Sequence, residues 1–224
     1  MSSPLVSIII PSRGRPAGLL RVIVSVLATT RNHRVEIVPV LDAPDAESRD
    51  LLNSLSRFAI FNVVVMPETY VDGHPQQKFQ RGYEASTGDW IVTGTDDIVF
   101  HAGWLDAILA HPNQGIVGLY DPHHKMSTAT LFAFTRAHLE TTAGGRLGLP
   151  WYHVWGSDKE RTEKARRAGI FTICKEAGFD HYHSCLGTAK VDERTSFASQ
   201  WWKEDQVTYK AREAAGFPDD WPEV

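Results

Sequence analysis

Short apolar runs alternate with helically spaced apolar residues through the first third of the chain. Residues 5–10 and 90–93 are almost continuously apolar, as in strands that are buried on both faces of a sheet. Between them, leucine, isoleucine and valine recur at the spacing of helices. The pattern predicts strands at residues 5–10, 35–41, 61–66 and 90–93, and helices around residues 19–27, 46–57 and 75–85.

This order of strand and helix predicts a mostly parallel α/β sheet with right-handed crossovers. Ligands of such sheets bind beyond the carboxyl ends of the strands. Three predicted loops lie at that edge: residues 11–15, 42–45 and 95–98. Catalytic and ligand-binding side chains are therefore expected in these three loops.

The regular alternation ends near residue 115. Further strands are expected at residues 116–120, 130–134 and 171–174, and further helices at 136–142, 157–168 and 206–215. The sequence shows no linker or repeat. We therefore expect one domain over residues 1–224, with a regular half at 1–115 and an irregular half at 116–224.

Composition and charge exclude several classes of protein. The chain has 23 basic and 27 acidic residues, so its net charge of −4 gives no global reason to bind nucleic acid or an anionic membrane. No apolar run approaches the ~20 residues of a transmembrane helix. The two cysteines, Cys174 and Cys185, lack the spacing of a zinc site. The sequence thus predicts a reduced, cytoplasmic protein without a transmembrane segment.

Asp96 and Asp97 directly follow the apolar run WIVTGT. Adjacent carboxylates at the end of a buried strand suit a hard divalent cation, which prefers oxygen ligands and leaves positions for phosphate oxygens. The alternative is a turn in which Asp97 caps a helix. Position at the strand end favours the metal.

Two other segments contain candidate functional residues, each of which could instead have a purely structural role. His181 and His183 face the same way if FDHYHS is extended, so both could contact a metal or a phosphate, although single histidines are more often structural. Asp158 begins a charged helix, where it is either the helix cap or, inside a cleft, a general base.

Basic residues border the same sheet edge. Arg13, Arg15, Lys78 and Arg81 are candidates for neutralising a diphosphate, or are simply solvated. The chain lacks GxGxxG after its first strand, the P-loop motif and the GxSxG elbow. These absences argue against a dinucleotide-binding Rossmann site, a P-loop NTPase and an α/β-hydrolase.

Four segments together resemble the family 2 glycosyltransferases, which have the nucleotide-diphospho-sugar (GT-A) fold. VSIIIPSRGR resembles the opening strand and turn of the family, and VPVLDAPD resembles its second strand with a base-reading aspartate. KFQRGYEASTGDWIVTGTDDIVFHAGWL resembles the longest signature, which contains the acidic metal motif. WGSDKERTEKARRAG resembles the late acidic segment before a helix.

The resemblance implies a role for each matching residue. The nucleoside would be lined by Pro11, Ser12 and Arg13, while Asp42 would read the base, which the resemblance implies is uracil. Lys78 would face the donor and Asp96 the ribose or sugar. The metal, Mn²⁺ or Mg²⁺, would be bound by Asp97 and His183, and Asp158 would be the catalytic base. Thr95 stands where many members have a first aspartate, which is a departure from the family pattern.

The activity implied is inverting transfer of a sugar from a nucleotide-diphospho-sugar, such as a UDP-sugar, to an acceptor hydroxyl. The acceptor class stays open between a saccharide, a lipid, a protein and a modified nucleic-acid base. A sugar-phosphate nucleotidylyltransferase, which has a related fold, is an alternative. A non-catalytic nucleotide-sugar-binding module is another, and Thr95 is the residue that favours it.

Overall fold

The computed structural model describes residues 3–57, 61–66, 74–112 and 115–220. Within these residues the chain forms eight strands and eight α-helices, with a short 3-10 turn at Ser184–Leu186. The strands are β1 (Leu5–Ser12), β2 (Arg34–Leu41), β3 (Val64–Val65), β4 (Trp90–Thr93), β5 (Ile98–Phe100), β6 (Ile116–Tyr120), β7 (Phe132–Thr135) and β8 (Ile173–His181). The helices are α1 (Pro16–Thr29), α2 (Ala46–Leu55), α3 (Pro75–Ala85), α4 (Trp104–Leu109), α5 (Arg136–Ala143), α6 (Ser157–Arg167), α7 (Glu193–Ser199) and α8 (Trp202–Ala214).

The strands form one sheet in the order β3-β2-β1-β4-β7-β6-β8-β5. β1 is parallel to both of its neighbours, β2 and β4, and β2 is parallel to β3. This confirms the predicted parallel unit of the first half. In the second half, β7 is antiparallel to β4 and β6, and β5 is antiparallel to β8. The sheet is thus mixed, and the end of β8 and the start of β5 lie at the edge where β1 and β4 end.

Apolar side chains fill both faces of the sheet. Ile8 and Ile10 of β1 belong to a core with residues of α1 and α4, whereas Ile9 of the same strand packs with residues of α3 on the other face. The nearly continuous apolar run of β1 is explained by this burial on two faces. Of the helices in the described part of the chain, none has the length and apolar character needed to cross a bilayer.

Several predicted boundaries were wrong, each because of tertiary pairing. The strand expected at residues 61–66 is reduced to Val64–Val65, with an isolated bridge from Phe61 to Ile37. The strand expected at 171–174 instead runs from Ile173 to His181, because its last residues pair with β5, a strand that the sequence reading missed. The last helix begins at Trp202 rather than at residue 206.

A buried ion pair fixes the last helix to the body of the protein. Glu160 of α6 is fully buried, and its carboxylate accepts two hydrogen bonds of 2.9 Å from the guanidinium of Arg212 in α8. The hydroxyl of Tyr152 donates a third, of 2.6 Å. The same α6 begins with Ser157 and Asp158, so this network also fixes the segment that contains the candidate base.

Arg212→Ala is expected to lower the free energy of unfolding by about 3–5 kcal/mol, because it leaves the buried Glu160 carboxylate without its cation. Urea denaturation measures the change. Arg81→Ala is the control, because Arg81 forms an exposed pair with Glu84 and such pairs contribute about 0–1 kcal/mol. Equal effects of the two variants would contradict a structural role for the Glu160–Arg212 pair.

Candidate active site

The loops after β1 and β4 meet at the carboxyl edge of the sheet, as the sequence predicts. Pro11 and Ser12, the last residues of β1, are buried there. The Ser12 hydroxyl donates a 2.8 Å hydrogen bond to Asp96, which follows β4. No helix begins at Asp97, since β5 starts at the next residue. The alternative in which Asp97 is a helix cap was therefore wrong.

Arg15 is surrounded by carboxylates from two distant parts of the chain. Its Nη1 lies 3.2 Å from Asp96 and 3.8 Å from Asp97, while Nε and Nη2 form a two-pronged contact with Asp192 at 2.6 and 2.7 Å. Burial alone would lower the pKa of Arg15, but Asp192 and Asp96 outweigh it and raise that pKa. Arg15 is therefore a fixed positive charge beside the two aspartates.

The pKa of Asp96 is raised above the usual range of aspartate. The largest cause is burial, followed by the charge of Asp97, and contacts from Arg15 and Ser12 oppose the shift. Two adjacent carboxylates thus share one partly buried space, and a cation is the natural counter-charge for them.

Asp42, at the end of β2, is buried between two basic side chains. Its Oδ1 lies 2.6 Å from Nζ of Lys78 in α3, and its Oδ2 lies 3.4 Å from Nε of Arg13. Lys78 also donates a 2.8 Å hydrogen bond to the carbonyl oxygen of Ser12. Lys78 therefore links the loop after β1 to the loop after β2. Arg81, on the same helix, instead pairs with Glu84 on the exposed side.

Asp97 faces the end of β8. Its Oδ1 accepts a 2.5 Å hydrogen bond from Thr95 and lies 3.8 Å from Nε2 of His181. The backbone N–H of Tyr182 donates to the carbonyl oxygen of Asp97 at 2.7 Å. Thr95, which replaces the first acid of the motif, thus orients Asp97 without adding a charge.

His181 and His183 lie beside each other, with their ring centroids 5.7 Å apart. Nδ1 of His183 accepts a hydrogen bond from the backbone N–H of Cys185, so its other ring nitrogen is the one available to a ligand. The pKa of His183 is lowered, mainly by burial. Both histidines are therefore near Asp97, and it is His181 whose imidazole lies within 4 Å of that carboxylate.

Asp158 begins α6 but does not cap it. The cap is Gly156, at φ 96°, a left-handed conformation that favours glycine. Burial raises the pKa of Asp158, which makes its carboxylate a stronger base. Its charge also makes a small contribution to the raised pKa of His181, behind those of Asp121 and Asp97. Asp158 is therefore not the N-cap of α6, and it remains a candidate base.

A cavity of about 300 Å³ opens between the loop after β1 and the segment after β8. Asp96 and Asp97 lie on one wall, and Arg21 and Lys190 contribute positive charge. Arg21 stacks on the ring of Tyr182 at 4.3 Å. The cavity therefore combines carboxylates with cations, an arrangement suited to a cation and an anionic group bound together.

The donor set fits a divalent cation that arrives with its substrate. In the described ranges, no three His, Cys, Asp or Glu side chains converge as a complete metal site. Asp97 and His181 offer one oxygen and one nitrogen ligand, close to each other. Magnesium-type sites commonly use one or two protein ligands and complete their shell with water and substrate phosphates.

Two acidic residues of this region were missed in the sequence. Asp121, which follows β6, contacts His181, and Asp192, which caps α7, contacts Arg15. Asp192 stands three residues before Thr195 and directly before a helix, which is a recognisable capping signal. Nothing in the local sequence of Asp121 indicates its partner, because the contact depends on how β6 and β8 pair.

A family model for glycosyl transferase family 2 matches residues 7–194, which is most of the chain. The chain belongs to this family. The match includes the three loops at the sheet edge, Asp158 and both histidines of the candidate site.

Solved structures of three proteins share the fold of this family member. A mannosyltransferase from Pyrobaculum calidifontis, in complex with GDP-Man and Mn²⁺, matches 96% of this chain at 16% identity with a TM-score of 0.70. Glucosyl-3-phosphoglycerate synthase from Mycobacterium tuberculosis, in complex with Mn²⁺, UDP and phosphoglyceric acid, matches 97% of this chain at 16% identity with a TM-score of 0.64. TarS from S. aureus, residues 1–349, matches 93% of this chain at 10% identity with a TM-score of 0.61.

The present chain covers 65% of the mannosyltransferase chain, 80% of the synthase chain and 73% of the TarS chain. No curated protein sequence matches it significantly. The structural likenesses confirm the GT-A fold expected from the sequence.

Arg15→Gln is expected to lower the free energy of unfolding at pH 7.5 by about 1–3 kcal/mol, because Asp96 and Asp192 lose a charged partner. Since Arg15 opposes the raised pKa of Asp96, its removal raises that pKa further. Asp96 in the folded variant then binds a proton more readily than Asp96 in the folded wild type. The difference in the free energy of unfolding between the wild type and the variant should therefore shrink as the pH falls from 7.5 to 5.

Urea denaturation at both pH values measures this difference. Arg81→Gln, which changes an exposed arginine away from the site, should show no such dependence. A destabilisation of Arg15→Gln that grows toward pH 5 would show that the charge of Arg15 does not act on Asp96.

Proposed function

We propose that the protein transfers a sugar from a nucleotide-diphospho-sugar to an acceptor hydroxyl, with inversion at the anomeric carbon and dependence on Mn²⁺ or Mg²⁺. The observation that supports this most is the burial of Asp42, Asp96 and Asp97 at one sheet edge in a family 2 chain. These residues come from two separate segments, after β2 and after β4, and all three are partners of the basic side chains described above.

The donor half of the proposed site is residues 1–115. Pro11, Ser12 and Arg13 would line the nucleoside, and Asp42, which Lys78 and Arg13 hold in place, would accept a hydrogen bond from the base edge. We propose a UDP-sugar as the donor. Support comes from the UDP bound by the mycobacterial synthase, although the archaeal mannosyltransferase binds GDP-Man, so the experiment compares both nucleotides.

The centre of the site is proposed to neutralise the negative charge of the donor diphosphate. Arg15 would contact the donor diphosphate, and Asp96 would face the ribose or the sugar. Asp97, together with His183, would bind the metal, and Mn²⁺ is present in the mannosyltransferase and synthase structures. When bound, such a cation stabilises negative charge on the departing diphosphate.

Asp158 is the proposed general base, in the acceptor half at residues 116–224. It would take the proton of the acceptor hydroxyl as that oxygen bonds to the anomeric carbon and the bond from that carbon to the diphosphate breaks. The raised pKa of Asp158 supports this role, because a stronger base accepts the proton more readily. The acceptor is proposed as a hydroxyl compound, whether saccharide, lipid, protein or modified nucleic-acid base.

Asp97→Ala is expected to abolish the Mn²⁺ dependence of nucleotide binding while the fold survives, since the carboxylate lies at the edge of the cavity. Calorimetry with UDP and with GDP, each with and without Mn²⁺, measures the effect and identifies the preferred base. Asp106→Ala is the control, because Asp106 is exposed and pairs with His33 in another part of the protein. Unchanged Mn²⁺ dependence in Asp97→Ala would remove this residue from the metal site.

Asp158→Asn is expected to reduce sugar transfer by about 10²–10⁴-fold, the usual contribution of general-base catalysis. Donor affinity should change little, because the proposed nucleotide contacts lie on other residues. A screen of UDP- and GDP-sugars against saccharide, lipid and protein acceptors identifies the substrates, and turnover and donor affinity are then measured separately.

Glu163→Gln is the matched control, because Glu163 lies on the same helix and pairs with Arg166 and Arg167 at the surface. Normal turnover of Asp158→Asn would exclude Asp158 as the base. Loss of donor binding together with turnover would assign it to the donor site instead.

A further inference from the structure

Asp121 is a buried carboxylate to which neither the family resemblance nor the sequence assigns a role. It directly follows β6, and its side chain is fully buried. Its Oδ2 lies 2.9 Å from Nδ1 of His181 and accepts a 3.1 Å hydrogen bond from Thr130, while its Oδ1 accepts a 2.9 Å hydrogen bond from the backbone N–H of His123. Every one of these partners is a donor.

The backbone around Asp121 and His181 is also fixed. The carbonyl oxygen of Asp121 accepts a 2.7 Å hydrogen bond from the N–H of Lys125, which closes a tight turn. His181 is the last residue of β8 and is paired with Ile98 of β5. The contact between the two side chains therefore joins two ordered elements and does not depend on a free loop.

The contact decides which ring nitrogen of His181 faces the site. With Nδ1 donating its proton to Asp121, Nε2 points to Asp97, 3.8 Å from Oδ1. Histidines that bind metals commonly donate their other ring N–H to a carboxylate, which fixes the tautomer and the orientation of the ring. Asp121, His181 and Asp97 have this arrangement.

We propose that Asp121 is a positioning residue, which holds His181 so that its unprotonated Nε2 binds, together with Asp97, the cation of the donor complex. This inference rests on the proposed function, because it assumes a metal-dependent donor site. It adds a nitrogen ligand at His181 to a site in which Thr95 stands in place of an acid.

Asp121→Asn tests the tautomer directly. The single amide oxygen must keep accepting from the backbone N–H of His123, so the amide NH₂ faces Nδ1 of His181. The ring must then accept at Nδ1 and move its proton to Nε2, which removes the metal-binding lone pair. Nitrogen-15 NMR of the histidine side chains reports this change, and His181→Gln assigns the signal by its disappearance.

The spectra are compared at a pH at which the His181 ring is neutral, and the expected proton position is Nδ1 in the wild type and Nε2 in Asp121→Asn. Thr130→Val removes another hydrogen bond of Asp121 and should leave the wild-type tautomer unchanged, which makes it the control for a general disturbance of the site. A wild-type ring with its proton on Nε2 would overturn the proposal, even if Asp121→Asn failed to fold.

Metal binding is measured as the binding of MnCl₂ in the presence of UDP, with free Mn²⁺ quantified by electron paramagnetic resonance. Asp121→Asn should bind Mn²⁺ about 10–100-fold more weakly, the usual effect of losing a carboxylate behind a metal-binding histidine. Thr130→Val should bind as the wild type does. Equal affinity of Asp121→Asn and the wild type would contradict the proposal.

A double-variant cycle separates positioning from general destabilisation. If Asp121 acts through His181, Asp121→Asn should cause no further loss of Mn²⁺ affinity in His181→Gln, whereas independent effects would add. Additive losses would overturn the proposal while the proposed function stands. Absence of Mn²⁺ binding in the wild type would instead contradict the proposed function and the metal role of His181, and the tautomer would still decide whether Asp121 orients the ring.

Discussion

The positive charge of Arg15 is the constraint around which the candidate site is arranged. Asp96 and Asp97 are adjacent in the chain and both buried, so their repulsion must be offset for the loop after β4 to keep its shape. Arg15 supplies that charge from the loop after β1, and Lys78 does the same for Asp42 from α3. The carboxylates that are proposed to act in the site are thus also the groups whose burial requires a neighbouring positive charge.

The sheet topology supplies the second half of the site. β6 and β8 are parallel to each other, and β7 and β5 run against their neighbours, so the end of β8 reaches the same edge as β4. His181 and the segment after it therefore lie beside Asp97, although more than 80 residues separate them. Helix α6 contains Asp158, the candidate base, and the Glu160–Arg212 pair keeps that helix attached to α8.

Local sequence was sufficient to predict the parallel unit and its loops. The apolar runs of β1 and β4 and the aspartates after them follow from patterns of a few residues. The extension of β8 to His181 was not predictable in this way, because FDHYHS has no strand pattern of its own and is ordered by pairing with β5. The same holds for Asp121 and Asp192, whose partners are fixed by tertiary packing. Asp158 was a candidate base from its place at the start of a charged helix, and the family resemblance favoured that role over the helix cap.

The contact between Arg15 and Asp192 joins residues that are 177 positions apart in the chain. Loop closure over such a separation is entropically costly, and non-local contacts of this kind form late in folding. During synthesis, strands β1, β2 and β4 and their loops leave the ribosome well before Asp192 does. The nascent chain therefore presents Arg15 without this partner, and the site reaches its final arrangement only after Asp192 has been made.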